Sequence, residues 1–226
     1  MSEAEWMACT EPMPMLELLR GKASDRKLRL FACACCRGIW HLLTQEGSQR
    51  AVEVAERFVD GLAGAEELIR ARDEASKMRF TARSIAWAAA WVVAREPGRD
   101  MIQAARQTAG VSASAVAWAA IENAEYQDID RLENDALKGE QKKQVSLLLD
   151  IFGNPFRPVT LDPAWKTPKV LALAQSVYAK PAFERLPILA DNLEEAGCSD
   201  TQVLAHCRQL GAHVRGCWVV DSILDK

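Results

Sequence analysis

Several signatures of catalysis are missing from this sequence. It has no Gly-x-x-x-x-Gly-Lys-Ser/Thr loop to cradle phosphates, no Gly-x-Ser-x-Gly nucleophile elbow and no His-Glu-x-x-His helix. It also lacks the Glu-x-x-His pair that builds carboxylate metal sites in helical bundles. Basic excess is absent: 28 Lys and Arg face 31 Asp and Glu, for a formal net charge of -3. That argues against a strong general affinity for nucleic acid, which needs a positive field, although a local basic patch is not excluded. No long apolar run is present. The longest, residues 85–94, is about half of what spans a bilayer. The acidic opening, Met1-Ser2-Glu3-Ala4-Glu5-Trp6, is unlike a signal peptide. With seven cysteines and no such leader, free thiols in a reducing, cytoplasmic setting are expected, and the odd count fits a disulfide framework poorly. No segment alternates with period two, so no significant sheet is expected.

What is present is helical. With 49% hydrophobic and 26% charged residues, the chain can bury a real core. Ser2 and Glu5 form a capping box for a short helix to about Cys9. Pro12 and Pro14 open a second helix that closes at Gly21. Ser24 caps a third, in which Leu28, Phe31, Ala32, Cys35, Ile39 and Leu42 line one face. Ser48 opens a fourth. A long helix is expected over residues 65–94, with Leu68, Ala71, Ala75, Met78, Ala82, Ile85, Ala89 and Val92 at alternating spacings of three and four. A short helix over 99–108, a break at Gly110 and a second long stretch from Ser112 to about Leu137 follow. One further helix is expected over 138–151. Ser84-Ile85-Ala86-Trp87-Ala88-Ala89 resembles Ala115-Val116-Ala117-Trp118-Ala119-Ala120, as a degenerate helical repeat or a chance match in alanine-rich sequence.

Prolines 155, 158 and 163 with Gly153 forbid a helix over 152–163. Helices then resume over 168–179, 182–196, 199–210 and 213–224. Thr167-Pro168 is a cap-then-proline start, Ser199 with Gln202 a capping box, and Pro187 a kink or a fresh first turn. The expected architecture is all-α: one composite domain over 1–226, with N-terminal helices (1–62), alanine-rich helices (65–151), a proline-rich connector (152–167) and C-terminal helices (168–226).

The most distinctive motif is Arg-Gly-x-Trp, present as Arg37-Gly38-Ile39-Trp40 and Arg215-Gly216-Cys217-Trp218. Glycine in a helix costs about 1 kcal/mol relative to alanine, so its presence suggests a close approach of another backbone. A structural clasp made of Arg37, Gly38, Trp40, Arg215, Gly216 and Trp218 would join the N- and C-terminal helices. The functional alternative is an anion held by Arg37 and Arg215.

Histidine is scarce, at three residues, and each lies near cysteine: His41 after Cys33, Cys35 and Cys36; His206 beside Cys207; His213 before Cys217. Zinc takes four Cys or His ligands, often as pairs one helical turn apart. Cys33 with Cys36 and His213 with Cys217 are such pairs, so these four are the candidate metal ligands, and zinc is the candidate cofactor. His41 cannot join Cys33 on one ion, being roughly 12 Å away by helix rise. Buried reduced thiols are the competing expectation. Cys207 and His206 form no dyad, because adjacent helical residues point about 100° apart. Trp87 with Trp91 could present an aromatic stripe or pack in the core. Glu122, Glu125, Asp128 and Asp130 read as a solvated face.

Two blocks also carry a resemblance. The first contains Arg20-Gly21-Lys22-Ala23-Ser24-Asp25-Arg26-Lys27-Leu28-Arg29-Leu30-Phe31 and Cys35-Cys36-Arg37. The second contains Ile151-Phe152-Gly153-Asn154-Pro155-Phe156-Arg157-Pro158, Leu186-Pro187-Ile188-Leu189-Ala190-Asp191 and His213-Val214-Arg215-Gly216-Cys217-Trp218-Val219-Val220-Asp221. These resemble the opening and the ending of a large paralogous family of uncharacterised planctomycete proteins whose alanine-rich middle varies in length. Residues 186–196 also look like a short helical segment that accompanies repeat domains in such bacteria. The resemblance implies no activity or cofactor. The function expected from the absence of catalytic motifs and from the helical stack is a non-enzymatic protein–protein interaction or scaffold module. The alternatives are a zinc-binding helical protein, and a nucleic-acid binder using Arg26, Lys27, Arg29 and Arg37.

Overall fold

The structure, a computed structural model, describes residues 1–76, 90, 93, 94, 100–180, 182–211 and 213–226. The fold is all-α, and no strand occurs among the described residues. No helix among them is long and apolar enough to cross a membrane. The chain divides into two compact units, Met1–Val145 and Ser146–Lys226. The division falls just ahead of the proline-rich connector expected at 152–167, because Asp150, near the end of a helix, bonds to residues of the C-terminal region.

In the first unit, α1 (Glu3–Met7) starts at the capping box read from the sequence: Ser2 and Glu5 exchange both bonds. α2 (Pro12–Leu18) begins at proline, and α3 (Asp25–Gly38) at Ser24, whose hydroxyl accepts from the Lys27 N–H. α4 (Glu46–Val59) starts slightly before Ser48, and α5 (Ala65–Ser76) covers the first part of the helix expected over 65–94. Trp87, Trp91, most of the rest of that helix and the first copy of the alanine–tryptophan repeat lie outside the described residues.

The next helix differs from expectation. Gly110 does not break it: α6 runs unbroken over Met101–Ile121 and is capped by Asp100, which accepts from the Ile102 and Gln103 N–H groups. A mid-helix glycine costs only about 1 kcal/mol, and burial along this helix outweighs that. Met101, Ala104, Ala105, Ala109 and Ala113 are all buried. The chain turns instead at 122–128, and α7 runs over Ile129–Phe152 as one helix. α3 packs on α6 and α4, α4 on α5, and α2 on α6. Many of the meeting residues are alanines (Ala32, Ala51, Ala55, Ala71, Ala75), and small side chains let helix axes approach closely.

In the second unit, α8 (Pro168–Ala179) is capped by Thr167 as expected. Pro187 begins a fresh first turn, that of α9 (Leu186–Glu195). α10 (Thr201–Arg208) is capped by Asp200 rather than Ser199: one Asp200 oxygen accepts from both Gln202 and Val203. α11 is short, Trp218–Leu224, and not a helix from 213, since Gly216 sits at φ +97 and forces a turn. These four helices close around Val170, Val177, Leu186, Leu189, Leu193, Val203, Val220 and Ile223.

Gly153, at φ +62 after α7, is a second position that needs glycine. A Cβ there would lie 3.2 Å from the Trp218 indole. Gly153→Ala therefore meets both a backbone penalty and a steric one. We expect it to lower stability by about 1–3 kcal/mol in urea unfolding. A change within a few tenths of a kcal/mol, at unchanged m-value, would refute the close approach.

Candidate metal centre

Four chemically capable side chains meet in the second unit. Asp150 comes from the last turn of α7, His206 from α10, His213 from the loop after it, and Cys217 from the N-cap of α11. One donor atom from each lies within 4.8 Å of every other. All four are shielded from solvent: the side chains of Asp150, His206 and His213 are 1%, 9% and 5% exposed, and Cys217 is 0% exposed.

The hydrogen bonds converge on the carboxylate. His213 Nδ1 lies 2.6 Å and His206 Nε2 3.1 Å from Asp150 Oδ1. The Val214 N–H donates to Asp150 Oδ2 at 2.9 Å. The same His206 Nε2 lies 3.2 Å from Cys217 Sγ, and the other His206 nitrogen, Nδ1, is 3.3 Å from the Gln209 amide nitrogen. The two imidazoles meet edge to face, with centroids 4.9 Å apart, and Trp218 lies 5.1 Å from His206 as a tilted wall. His213 Nε2 is buried and has no hydrogen-bond partner among the described residues.

The electrostatics follow from these contacts. Burial pushes the Asp150 carboxyl up, but the hydrogen bonds from His206 and His213 outweigh it and hold the group below its ordinary range. Burial pushes the Cys217 thiol well above its ordinary value, and the neighbouring Asp150 pushes it the same way. Bonds from the Val220 and Val219 N–H groups oppose this. A buried protonated thiol is a poor nucleophile, which disfavours an activated Cys217–His206 pair.

The residue types suit a metal. Tetrahedral zinc, with bonds of about 2.0–2.3 Å, sets its N, O and S ligands about 3.3–3.6 Å apart. The His206–Asp150 and His206–Cys217 separations, 3.1 and 3.2 Å, already lie near that. The His213–Asp150 contact would open, and the widest separation close by about 1.2 Å.

Of the four ligands read from the sequence, His213 and Cys217 belong to this cluster. Cys33 and Cys36 lie in the core of the first unit, 1% and 0% exposed among Ile39, Leu43 and Val52. Burial pushes both thiols well up. Asp150 and His206 of this cluster were not among the candidate ligands read from the sequence. The spacing of His206, His213 and Cys217, three donors within one short stretch, was the available signal. Asp150 had none.

The other singled-out residues make the following contacts. Arg37 stacks on Trp40 at 4.0 Å and makes two bonds, 2.9 and 2.7 Å, to Glu56. Arg215 lies over Tyr178, at 5.2 Å. Gly38 ends α3, and the nearest atom to a Cβ there would be a Glu140 carboxylate oxygen at 3.8 Å. Arg29, part of the expected basic stripe, is 3% exposed, bonded to the Val93 carbonyl and stacked on Phe58. Arg26 pairs with Asp60. Glu122, Glu125 and Asp128 occupy the turn before α7 rather than a helix face, and Asp128 bonds Arg131.

Comparison with protein-family models, with curated proteins and with solved structures gives no match.

The depressed Asp150 carboxyl carries a pH dependence. A group whose folded value lies below its unfolded one adds stability above the unfolded value, about 4. That contribution is lost as pH falls through the lower, folded value. In metal-free protein, Asp150→Asn should be less stable near neutrality and lose less than the parent on acidification below about pH 4. Parallel stability–pH curves for the two proteins, from denaturant titrations, would contradict this.

Proposed function

We propose that Asp150, His206, His213 and Cys217 form a structural zinc centre, and that the protein is a non-enzymatic helical module whose C-terminal unit the metal fastens. The convergence of one donor from each of four buried residues within 4.8 Å carries this reading. The mixed N, O and S set suits zinc, with its tetrahedral preference and tolerance of thiolate, imidazole and carboxylate. Catalytic zinc sites keep one position open for water or substrate; a site with four protein ligands does not. The burial of all four residues supports the structural role.

The zinc would join the end of α7, α10, the loop carrying His213 and the start of α11, elements that the Asp150 hydrogen bonds and apolar packing already bring together. Binding releases the Cys217 proton, since thiolate is the ligand. Protein purified without added metal should carry close to one equivalent of zinc by elemental analysis, and Cys217→Ser or His206→Ala should lose most of it. Chelation should lower stability by about 3–4 kcal/mol if free zinc stood at 100–1,000 times its dissociation constant. Zinc-free protein that gains neither metal nor stability on titration would overturn the assignment.

For the chain as a whole we assign a protein–protein interaction or scaffold role. Two large aromatics of the first unit support it: Trp118 is 55% and Tyr126 93% exposed, although side chains of this size favour burial. Trp118→Ser should leave the far-ultraviolet spectrum unchanged and abolish recovery of a specific partner in affinity purification from the source cell. Equal recovery by both proteins would remove this support.

A further inference from the structure

Resting on the zinc reading, the geometry points to Gln209 as the positioning residue that lets His206 serve the centre both with and without metal. The argument concerns which nitrogen of one imidazole carries the proton.

His206 Nε2 faces the centre, 3.1 Å from Asp150 Oδ1 and 3.2 Å from Cys217 Sγ. Its Nδ1 faces away from them, toward the Gln209 side chain at 3.3 Å. In neutral imidazole one nitrogen donates and the other accepts. Without metal, we place the proton on Nε2, where it donates to the buried Asp150 carboxylate beside the bonds from His213 and Val214. Nδ1 is then an acceptor, and the Gln209 amide N–H donates to it. With metal, Nε2 must offer its lone pair to the ion. The proton then sits on Nδ1 and requires an acceptor. Gln209 Oε1 becomes that acceptor when the amide turns over.

A carboxamide can do both, because it presents a donor and an acceptor at the same reach. A carboxylate in its place could only accept, and an ammonium could only donate. Gln209 is an exposed residue at the C-cap of α10. Such partners on the outer nitrogen of a metal-bound histidine fix its tautomer and orientation, and their loss costs about 10–100-fold in metal affinity. Because water can reach Nδ1 once the side chain is removed, the lower end of that range applies here.

Exposure of Gln209 also means that its variants should fold. The full chain, Gln209→Leu and Gln209→Glu are titrated with Co(II) and then Zn(II), following the cobalt absorption bands. Gln209→Leu should bind about tenfold more weakly than the parent. Gln209→Glu, which can only accept, should bind at least as tightly as the parent. Long-range 1H–15N spectra of the histidine rings give a second readout that a merely structural residue would not move. Metal-free parent should show His206 protonated at Nε2, and zinc-loaded parent at Nδ1. Metal-free Gln209→Glu should shift toward Nδ1 without any ion. Equal affinities for parent and Gln209→Leu would overturn the role of Gln209 while leaving the zinc centre standing. No zinc or cobalt binding by the parent would overturn the centre itself. The ring spectra of metal-free parent and Gln209→Glu would still judge the tautomer control, and identical His206 spectra in the two would overturn it.

Discussion

A single carboxylate organises the C-terminal unit. Asp150 is 1% exposed, and an ion of that kind removed from water costs several kcal/mol unless charge and hydrogen bonds compensate it. Its compensation comes from three donors: two imidazoles and the Val214 backbone N–H. Because His206 belongs to α10 and His213 and Val214 to the following loop, satisfying one oxygen pair ties that loop to the end of α7. The rest follows from this knot. The loop must then turn at Gly216 to reach α11, and Trp218, the first residue of α11, closes over His206 and against Gly153.

The two Arg-Gly-x-Trp copies show how little a short motif fixes by itself. In the first, the tetrapeptide spans the end of α3, so Arg37 and Trp40 sit three residues apart on one side and stack. In the second, Gly216 is left-handed, the helix has not yet begun, and the arginine finds Tyr178 instead of its own tryptophan. The backbone around the glycine decides which aromatic the arginine meets. That backbone is set by what each segment must join, which the four residues do not encode.

Local signals were legible where local physics decides. The Ser2–Glu5 box, the Ser24 and Thr167 caps and the proline starts sit where side-chain oxygens or a missing N–H serve the first helical turn. Gly110 was misleading because burial of α6 overrides a weak propensity, and Ser199 because Asp200, one residue on, satisfies two N–H groups at once. Half of the candidate site was legible for the same reason: His213 and Cys217 are close in sequence. Their partners were not. The cysteine pair at 33 and 36 has ligand-like spacing but serves an apolar core, and Asp150 reaches the site only through tertiary structure.

The contact between His206 and Cys217 invites comparison with a nucleophile–base pair, and the arrangement of the nitrogens argues against it. In a Cys–His–Asp triad the two imidazole nitrogens have different partners: one takes the thiol proton while the other is held by the carboxylate. Here one nitrogen, Nε2, faces both the thiol and the carboxylate, and the outer nitrogen faces Gln209. A base arranged this way cannot be oriented by the acid while accepting from the thiol, because both compete for the same atom. Asp150 Oδ1 and Cys217 Sγ both lie within 3.2 Å of that one atom, a grouping that suits the proposed zinc better than a proton relay. Burial holds the proton on Cys217, and the proposed zinc would supply the charge needed to stabilise its thiolate.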